Sequence, residues 1–413
     1  MEKIILHCDL NNFYASCECI EHPEYKNYPM AVCGSVEDRH GIILAKNELA
    51  KKAGVKTAEV VWQAKAKCPD LITITPNMKK YIDLSKKVRK IYSQYTDLIE
   101  PFGIDECWLD VSGSTLLFGN GYDIADKIKE QVKRETKLTI SVGVSFTKIF
   151  AKLGSDLQKP DAITCITKEN FKEKVWPLQA NELLGVGKST YSKIQKYGLN
   201  TIGDIATSDM NFLISILGKN GEALWYFANG LGDSKVAHQD DYTVPKSIGN
   251  STTTSADLIS QNDVWEVMFH LAESVTTRLR QQKLLATAIQ ISVKDNCLST
   301  REFQAPLSFA TRYPKDLADL GIALFDKHYN WQNNVRAIGI RAINLVPDNE
   351  SVQISFIHDQ NKINEHDALE EKVCSLRERF GENAVLRASL MEKFKSSGVK
   401  QYDESSLPGK FIK

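Results

Sequence analysis

Ile4-Ile5-Leu6-His7-Cys8-Asp9-Leu10-Asn11-Asn12-Phe13-Tyr14-Ala15-Ser16 opens on an apolar run, meets a carboxylate and passes into a helix start. So short an apolar run, ending in an acid, reads as a buried strand over residues 4–9 with Asp9 at its tip. Farther on, two more strand runs, 99–103 and 107–111, stand on either side of Ile104-Asp105-Glu106. Asp9, Asp105 and Glu106 therefore sit at strand tips of one predicted domain. Adjacent tips in one sheet would bring them together.

Outward from these strands the pattern alternates. Residues 30–33 and 42–45 read as short strands, 60–67 and 78–95 as helices. A helix over 122–135, a strand over 138–144, a helix over 148–157 and a strand over 162–166 complete a multidomain α/β beginning, with helices packed on a mixed or antiparallel sheet. From 171 to about 233 the texture is helical and punctuated by Gly185, Gly187, Gly198, Gly203 and Gly218. A polar stretch, 239–249, contains Pro245 and reads as a linker. A second α/β unit follows: helices over 264–282 and 314–329, strands over 286–293 and 337–343. A charged amphipathic helix is expected over 365–380, ahead of a loosely ordered end.

The 413 residues suggest about three domains, at roughly 150 residues each. The 52 basic and 52 acidic residues cancel, so any nucleic-acid grip must come from local patches. Nine scattered cysteines read as reduced thiols; Cys17 and Cys19 form one C-x-C, without the second close pair or His cluster of a zinc site. The first residues lack the pattern of a signal peptide, and no run approaches the ~18 apolar residues that span a bilayer, so the expected location is cytoplasmic.

Clustered carboxylates repel and need compensating charge, which hard divalent cations such as Mg²⁺ supply through oxygen ligands. Two such ions about 3.5–4 Å apart suit nucleotidyl transfer, activating the attacking oxygen and stabilising the leaving one. The helix start after Asp9 can hold a triphosphate on its backbone N–H groups. Phe13 or Tyr14 could stack on a sugar or simply pack in the core. Asp110 ends a strand too, and is assigned no role.

The stretch 9–16, Gly103-Ile104-Asp105-Glu106, Ser145 through Lys159-Pro160, Gly185-Val186-Gly187-Lys188, and Lys246-Ser247-Ile248-Gly249 with Ser251-Thr252-Thr253-Thr254 resemble the Y-family DNA polymerases, most of all the bacterial DNA polymerase IV branch. The likeness runs in the family's order over residues 3–345. It implies a right-hand polymerase: a ferredoxin-like palm (1–10 and 77–166), small fingers (11–76), a helical thumb (167–238), a linker (239–245), an α/β little finger (246–346) and a C-terminal tail (347–413). It implies that Asp9, Asp105 and Glu106, with the Leu10 carbonyl, hold two Mg²⁺ ions. Tyr14 becomes a steric gate beside Phe13, and Lys159 a triphosphate contact. On the first fingers helix the family usually carries Tyr and Arg; here Glu48 and Lys51 stand there, and Lys51 keeps the charge without the bidentate fork.

Residues 181–194 are similar to a helix–hairpin–helix, in which Gly185, Gly187 and the helix start at Lys188 would take a DNA phosphate. Lys148 and Lys152, one turn apart, would hold the primer backbone, and Arg336 and Arg341 the template. Lys86, Lys87, Arg89 and Lys90 read as a solvated face. Gln353-Ile354-Ser355-Phe356-Ile357 resembles the pentapeptide that docks bacterial polymerases on the sliding clamp, through Gln353, Phe356 and Ile357. The expected activity is template-directed, low-fidelity translesion DNA synthesis on primed template with dNTPs. The enzyme would be a monomer, have low unaided processivity and lack proofreading. A non-catalytic DNA- or clamp-binding homologue and a nucleotide cyclase on a palm-like sheet are the competing readings. Glu48 and Lys51 favour the first; the hairpin stretch and the last α/β unit oppose the second.

Overall fold

The computed structural model describes residues 3–37, 39–232, 234–241, 244–349, 360–381 and 384–387. These fall into two compact units, residues 3–34 with 42–241, and residues 35–41 with 244–387.

The first unit carries strands β1 (Ile5–Leu10), β2 (Met30–Cys33), β3 (Ile43–Lys46), β4 (Ile72–Ile74), β5 (Ile99–Pro101), β6 (Glu106–Asp110), β7 (Ile140–Ser145) and β8 (Ile163–Ile166). Five form one sheet in the order β5-β6-β1-β7-β8, and three form a small sheet in the order β3-β2-β4. β1 is the central strand of the large sheet, antiparallel to both neighbours, and all six of its residues are buried. That burial explains the unbroken apolar run. Helices Met78–Tyr92 and Gly121–Thr136 bury Tyr81, Val88, Ile91, Ile124, Ile128 and Val132 in the same core as Leu6, Cys8 and Leu10.

Helix Lys148–Leu157 lies against β7 and β1 with no room to spare. A Cβ on Gly143 of β7 would sit 1.8 Å from the Ala151 carbonyl oxygen, and one on Gly154 would sit 3.1 Å from the Gly143 Cα. Two facing glycines thus let the helix backbone rest on the sheet. This approach brings Lys152 and Ser155 within reach of the side chains of β1.

The helical stretch after β8 has its own core of Val175, Ala180, Leu183, Ile194, Ile202, Ile205, Leu213 and Leu224. The first arm of the expected helix–hairpin–helix is only a 3-10 turn, Ala180–Glu182; the second is an α-helix, Lys188–Gln195. Leu183 is already extended (φ −72°, ψ 129°), so the arm ends there and the chain passes into the Gly185 turn.

The second unit is a four-stranded antiparallel sheet of β9 (Ser247–Leu258), β10 (Leu284–Asp295), β11 (Thr300–Thr311) and β12 (Val335–Pro347), in the order β11-β10-β12-β9. Helices Gln261–Gln281 and Pro314–His328 supply its core through Met268, Leu271, Val275, Leu317 and Phe325. Two of these strands exceed the sequence reading. β9 begins at Ser247, inside the stretch 239–249 read as linker: its Ser, Thr and Asn residues look like a loop, yet Ile248, Asn250, Thr252 and Thr254 alternate inward. β11 was hidden by its polarity and by Pro306, which an edge strand tolerates because one row of its backbone groups is unpaired.

Candidate active site

Asp9 and Glu106 are direct register partners of the β1–β6 pair. Opposed residues of antiparallel strands share a face and lie about 5 Å apart at Cβ. Next along that face stand His7 and Trp108, ring centroids 5.3 Å apart. Asp105 precedes β6, and its carbonyl oxygen accepts a hydrogen bond from Leu10 N–H at 3.0 Å, fastening the tip of β1 to the turn before β6. The three acids predicted at strand tips therefore belong to one sheet end.

Two ammonium groups sit among them. Lys152 Nζ is 3.0 Å from Glu106 Oε2 and 3.5 Å from Asp9 Oδ2. Lys159 Nζ donates to Asp9 Oδ2 at 2.8 Å. Asp156 contacts both lysines, at 3.2 and 2.8 Å. Lys148, one turn before Lys152, turns to Glu100 at 2.6 Å and lies 4.6 Å over the Trp108 ring. The face shared by Lys148 and Lys152 is therefore the sheet-facing one: in this structure both lysines answer carboxylates of the protein.

Beneath the acids, His7 is fully buried. Its Nδ1 is 2.8 Å from Ser155 Oγ, and its Nε2 is 3.2 Å from Glu106 Oε2. Burial lowers the imidazole's pKa, against the pull of Glu106. Sequence reading missed His7, although its i−2 spacing from Asp9 on a strand already puts it on the carboxylate face.

These surroundings drive the acids apart. Burial, then the neighbouring charges of Asp9 and Glu106, push Asp105 up to about 7. Burial acts on Glu106 in the same sense, but the His7 and Lys152 contacts outweigh it and bring Glu106 down to about 2. Asp9 is raised by burial despite Lys159. Burial opposes the charge on Lys152, yet Glu106, Asp156 and Asp9 raise its pKa and keep it protonated. Among the described residues no three His, Cys, Asp or Glu side chains close round one point as a finished metal cage. In donor chemistry the cluster fits a hard divalent cation: all-oxygen, anionic, partly desolvated, and carrying one carboxylate that its lysines leave unneutralised.

On the other side of Leu10, helix Phe13–Glu21 begins. Phe13 is buried in the core, whereas Tyr14 is half-buried and stacks on Tyr81 at 4.5 Å and 14°. Burial, with Asp105 nearby, pushes the Tyr14 phenol up to about 12. Tyr81 is itself pinned, its hydroxyl donating to Glu18 at 2.5 Å while Lys80 donates to the same carboxylate at 2.7 Å. Lys51 is exposed and lies 3.8 Å from Glu48. Glu48 accepts from Asn12 Nδ2 at 2.8 Å, so it faces the start of the Phe13–Glu21 helix.

Gly185 adopts φ +96°, and Gly187 caps the start of Lys188–Gln195, with open space where its side chain would be. Lys188 is the first residue of that helix and exposed. In the second unit, Arg341 is exposed on β12, paired with Gln290 on one side and Gly249 on the other. A Cβ at Gly249 would meet the Arg341 side chain at 2.9 Å, so this glycine gives the arginine stem its lane. Arg336, on the same strand, is half-buried. Gln353, Phe356 and Ile357 lie outside the described residues. No helix among the described residues is long and apolar enough to cross a membrane.

The impB/mucB/samB family profile matches residues 8–156, and the profile of that family's C-terminal domain matches residues 245–356. DNA polymerase IV of Acetivibrio thermocellus is 51% identical over 392 residues, covering 95% of this chain and 98% of that protein. DNA polymerase IV 1 of Bacillus subtilis is 33% identical over 394 residues, covering 95% and 94%. Among solved structures, the Y-family DNA polymerase chimera Dbh-Dpo4(243-245)-Dbh matches with a TM-score of 0.74 at 23% identity, over 83% of this chain and 99% of that one. The right-hand architecture expected from the sequence is thus the observed fold, and the chain belongs to the DNA polymerase IV branch of the Y family: it is a template-directed DNA polymerase of the translesion type, acting on DNA and dNTPs with a divalent metal.

Proposed function

We propose that Asp9, Asp105 and Glu106, with the Leu10 carbonyl, are the catalytic ligands of two Mg²⁺ ions, and that the primer 3′-OH attacks the α-phosphate of a dNTP with release of pyrophosphate. The observation that carries this is the register pairing of Asp9 with Glu106, with Asp105 fastened beside them. When bound, the ions would supply activation of the attacking oxygen and charge for the leaving one. The protein's own part is to hold the carboxylates in place from β1 and β6 and to keep Glu106 ionised through His7 and Lys152. Lys152 and Lys159 carry positive charge at the reacting phosphates, with Lys51 at the rim. Tyr14, held flat by Tyr81, would close off the sugar's 2′ side, with Phe13 packed behind it.

The division into palm, fingers, thumb, little finger and tail is supported by the sheets: one large sheet from 5–10 and 99–166, one small sheet from 30–74, one last sheet from 247–347. Backbone contacts from Gly185, Gly187 and Lys188 and from Arg336 and Arg341 would grip duplex DNA without reading bases. Lys148, paired with Glu100, would reach the primer only by leaving that partner. A sliding clamp is proposed as partner of the Gln353 peptide, and a cytoplasmic monomer as the working form.

Extension of a labelled primed template with Mg²⁺ and dNTPs, beside an Asp105→Ala/Glu106→Ala protein, tests the assignment. Incorporation by the native chain alone is expected. DNA bound without incorporation by the native chain would overturn it. Replacing Gln353 and Phe356 by Ala should abolish clamp stimulation; unchanged stimulation would remove the clamp proposal.

A further inference from the structure

Asn12 occupies the N-cap of helix Phe13–Glu21 in the left-handed region, φ 49°, and its side chain makes no capping hydrogen bond. Asn is among the strongest N-caps because its side chain satisfies a free N–H of the first turn. Here that side chain is spent on Glu48, 2.8 Å away, and the first-turn N–H groups get no side-chain partner. Glu48 is itself fixed. Asn47, just before it, accepts from Ala50 N and Met30 N and donates to the carbonyls of Tyr25 and Tyr28, so the short helix Glu48–Lys52 starts at one place. Between the two helix starts opens a cavity of about 260 Å³ lined by Asn11, Asn12, Ser16, Lys26, Glu48 and Pro160, the residue after Lys159. The cavity thus puts the Glu48 carboxylate beside an uncapped helix start, with Lys26 and Lys137 also in its wall, and Pro160 brings the chain that carries Lys159 to its edge.

We propose that Glu48 is an affinity-setting residue for the incoming nucleotide, a fixed negative charge beside the triphosphate that weakens dNTP binding. This rests on the reading that the triphosphate lies along Lys159 and the Phe13–Glu21 start. An anion drawn to those N–H groups and to Lys159 must approach Glu48, because Asn12 ties the carboxylate to that same helix start. Lys51, 3.8 Å away and exposed, offsets the repulsion in part. The charge acts through space in a site open to water, so its effect must fade with salt.

The test is steady-state dNTP kinetics of the full chain and of Glu48→Gln, which keeps the oxygen that Asn12 donates to and removes only the charge. The KM for dNTP should fall about 3- to 10-fold, a like-charge repulsion screened by solvent. The change should lie in KM rather than kcat, and the ratio of the two proteins' KM values should shrink toward one as KCl rises from about 50 to about 400 mM. Glu48→Ala, lacking both charge and acceptor, should lower KM as well, which guards against an effect peculiar to the glutamine. An unchanged or raised KM in both variants overturns the proposal, as does a fall that ignores salt. Failure of the native chain to extend primers at all would instead overturn the underlying reading.

Discussion

Asp105 makes the metal-free protein less stable than it need be, and Asp105→Asn should expose this. Burial and the charges of Asp9 and Glu106 raise its pKa from an ordinary 3.8 to about 7. The folded chain therefore holds a proton that the unfolded chain releases between about pH 4 and 7, so Asp105's contribution is most favourable below about pH 4 and worsens as pH rises to 7. At 1.36 kcal/mol per pKa unit, the gap corresponds to roughly 4 kcal/mol at most by pH 8. Asp105 is partly exposed, and solvent screening brings the expected figure to about 2 kcal/mol. Asparagine keeps the shape and carries no such cost.

Thermal melts in EDTA measure it. At pH 8 the Asp105→Asn protein should melt about 4–8 °C above the native chain, at about 2–4 °C per kcal/mol for a unit of this size. The gain should fall to under half at pH 5 and vanish near pH 4. With millimolar Mg²⁺ or Mn²⁺ the native chain should gain more than the variant, because binding to the folded state alone stabilises it. An equal or lower melting point for the variant at pH 8 in EDTA, or a gain that does not depend on pH, would refute the reasoning.

Lys152→Met should act oppositely: it strips Glu106 of its ammonium partner and leaves Asp9 with Lys159 alone, and should cost about 3 kcal/mol in metal-free melts, recovered in part by divalent ion. Tyr14→Ala should raise the ratio of ribo- to deoxyribonucleotide incorporation at least about 100-fold, close to 3 kcal/mol of lost discrimination, in single-nucleotide extension assays. Gly143→Ala should be the most damaging single-methyl change in the first unit, since the new Cβ would sit 1.8 Å from the Ala151 oxygen. Loss of more than about 3 kcal/mol, or no soluble protein, is expected on denaturant titration.

What the sequence disclosed tracks how locally each feature is encoded. Asp9 at the end of an apolar run and Asp105-Glu106 between two others were legible because a buried strand and its tip are written in consecutive residues. Their register was not, since nothing in either segment says that residue 9 faces residue 106. The helix 148–157 is read to the residue, yet the face it turns to the sheet depends on Gly154 of the helix meeting Gly143 of β7, a contact that no helical period reports. Lys148 and Lys152, expected on the primer backbone, lie on a face that meets Glu100, Glu106 and Asp9. β9 and β11 were lost to composition, their polar residues being affordable on strands with one open face.

The lysines explain how such a site survives folding. Three acids at one sheet end repel, and a sheet that closed them without counter-charge would be destabilised by just the terms that lift Asp105. Helix Lys148–Leu157 brings Lys152 onto two of the acids by resting on Gly143, and the loop after it brings Lys159 onto Asp9. The fold thus carries enough positive charge to assemble, but not enough to neutralise Asp105, and that residual charge is what a divalent ion would find. Raising stability by adding another cation here, or by removing Asp105, should trade directly against metal affinity, because both draw on the same uncompensated carboxylate.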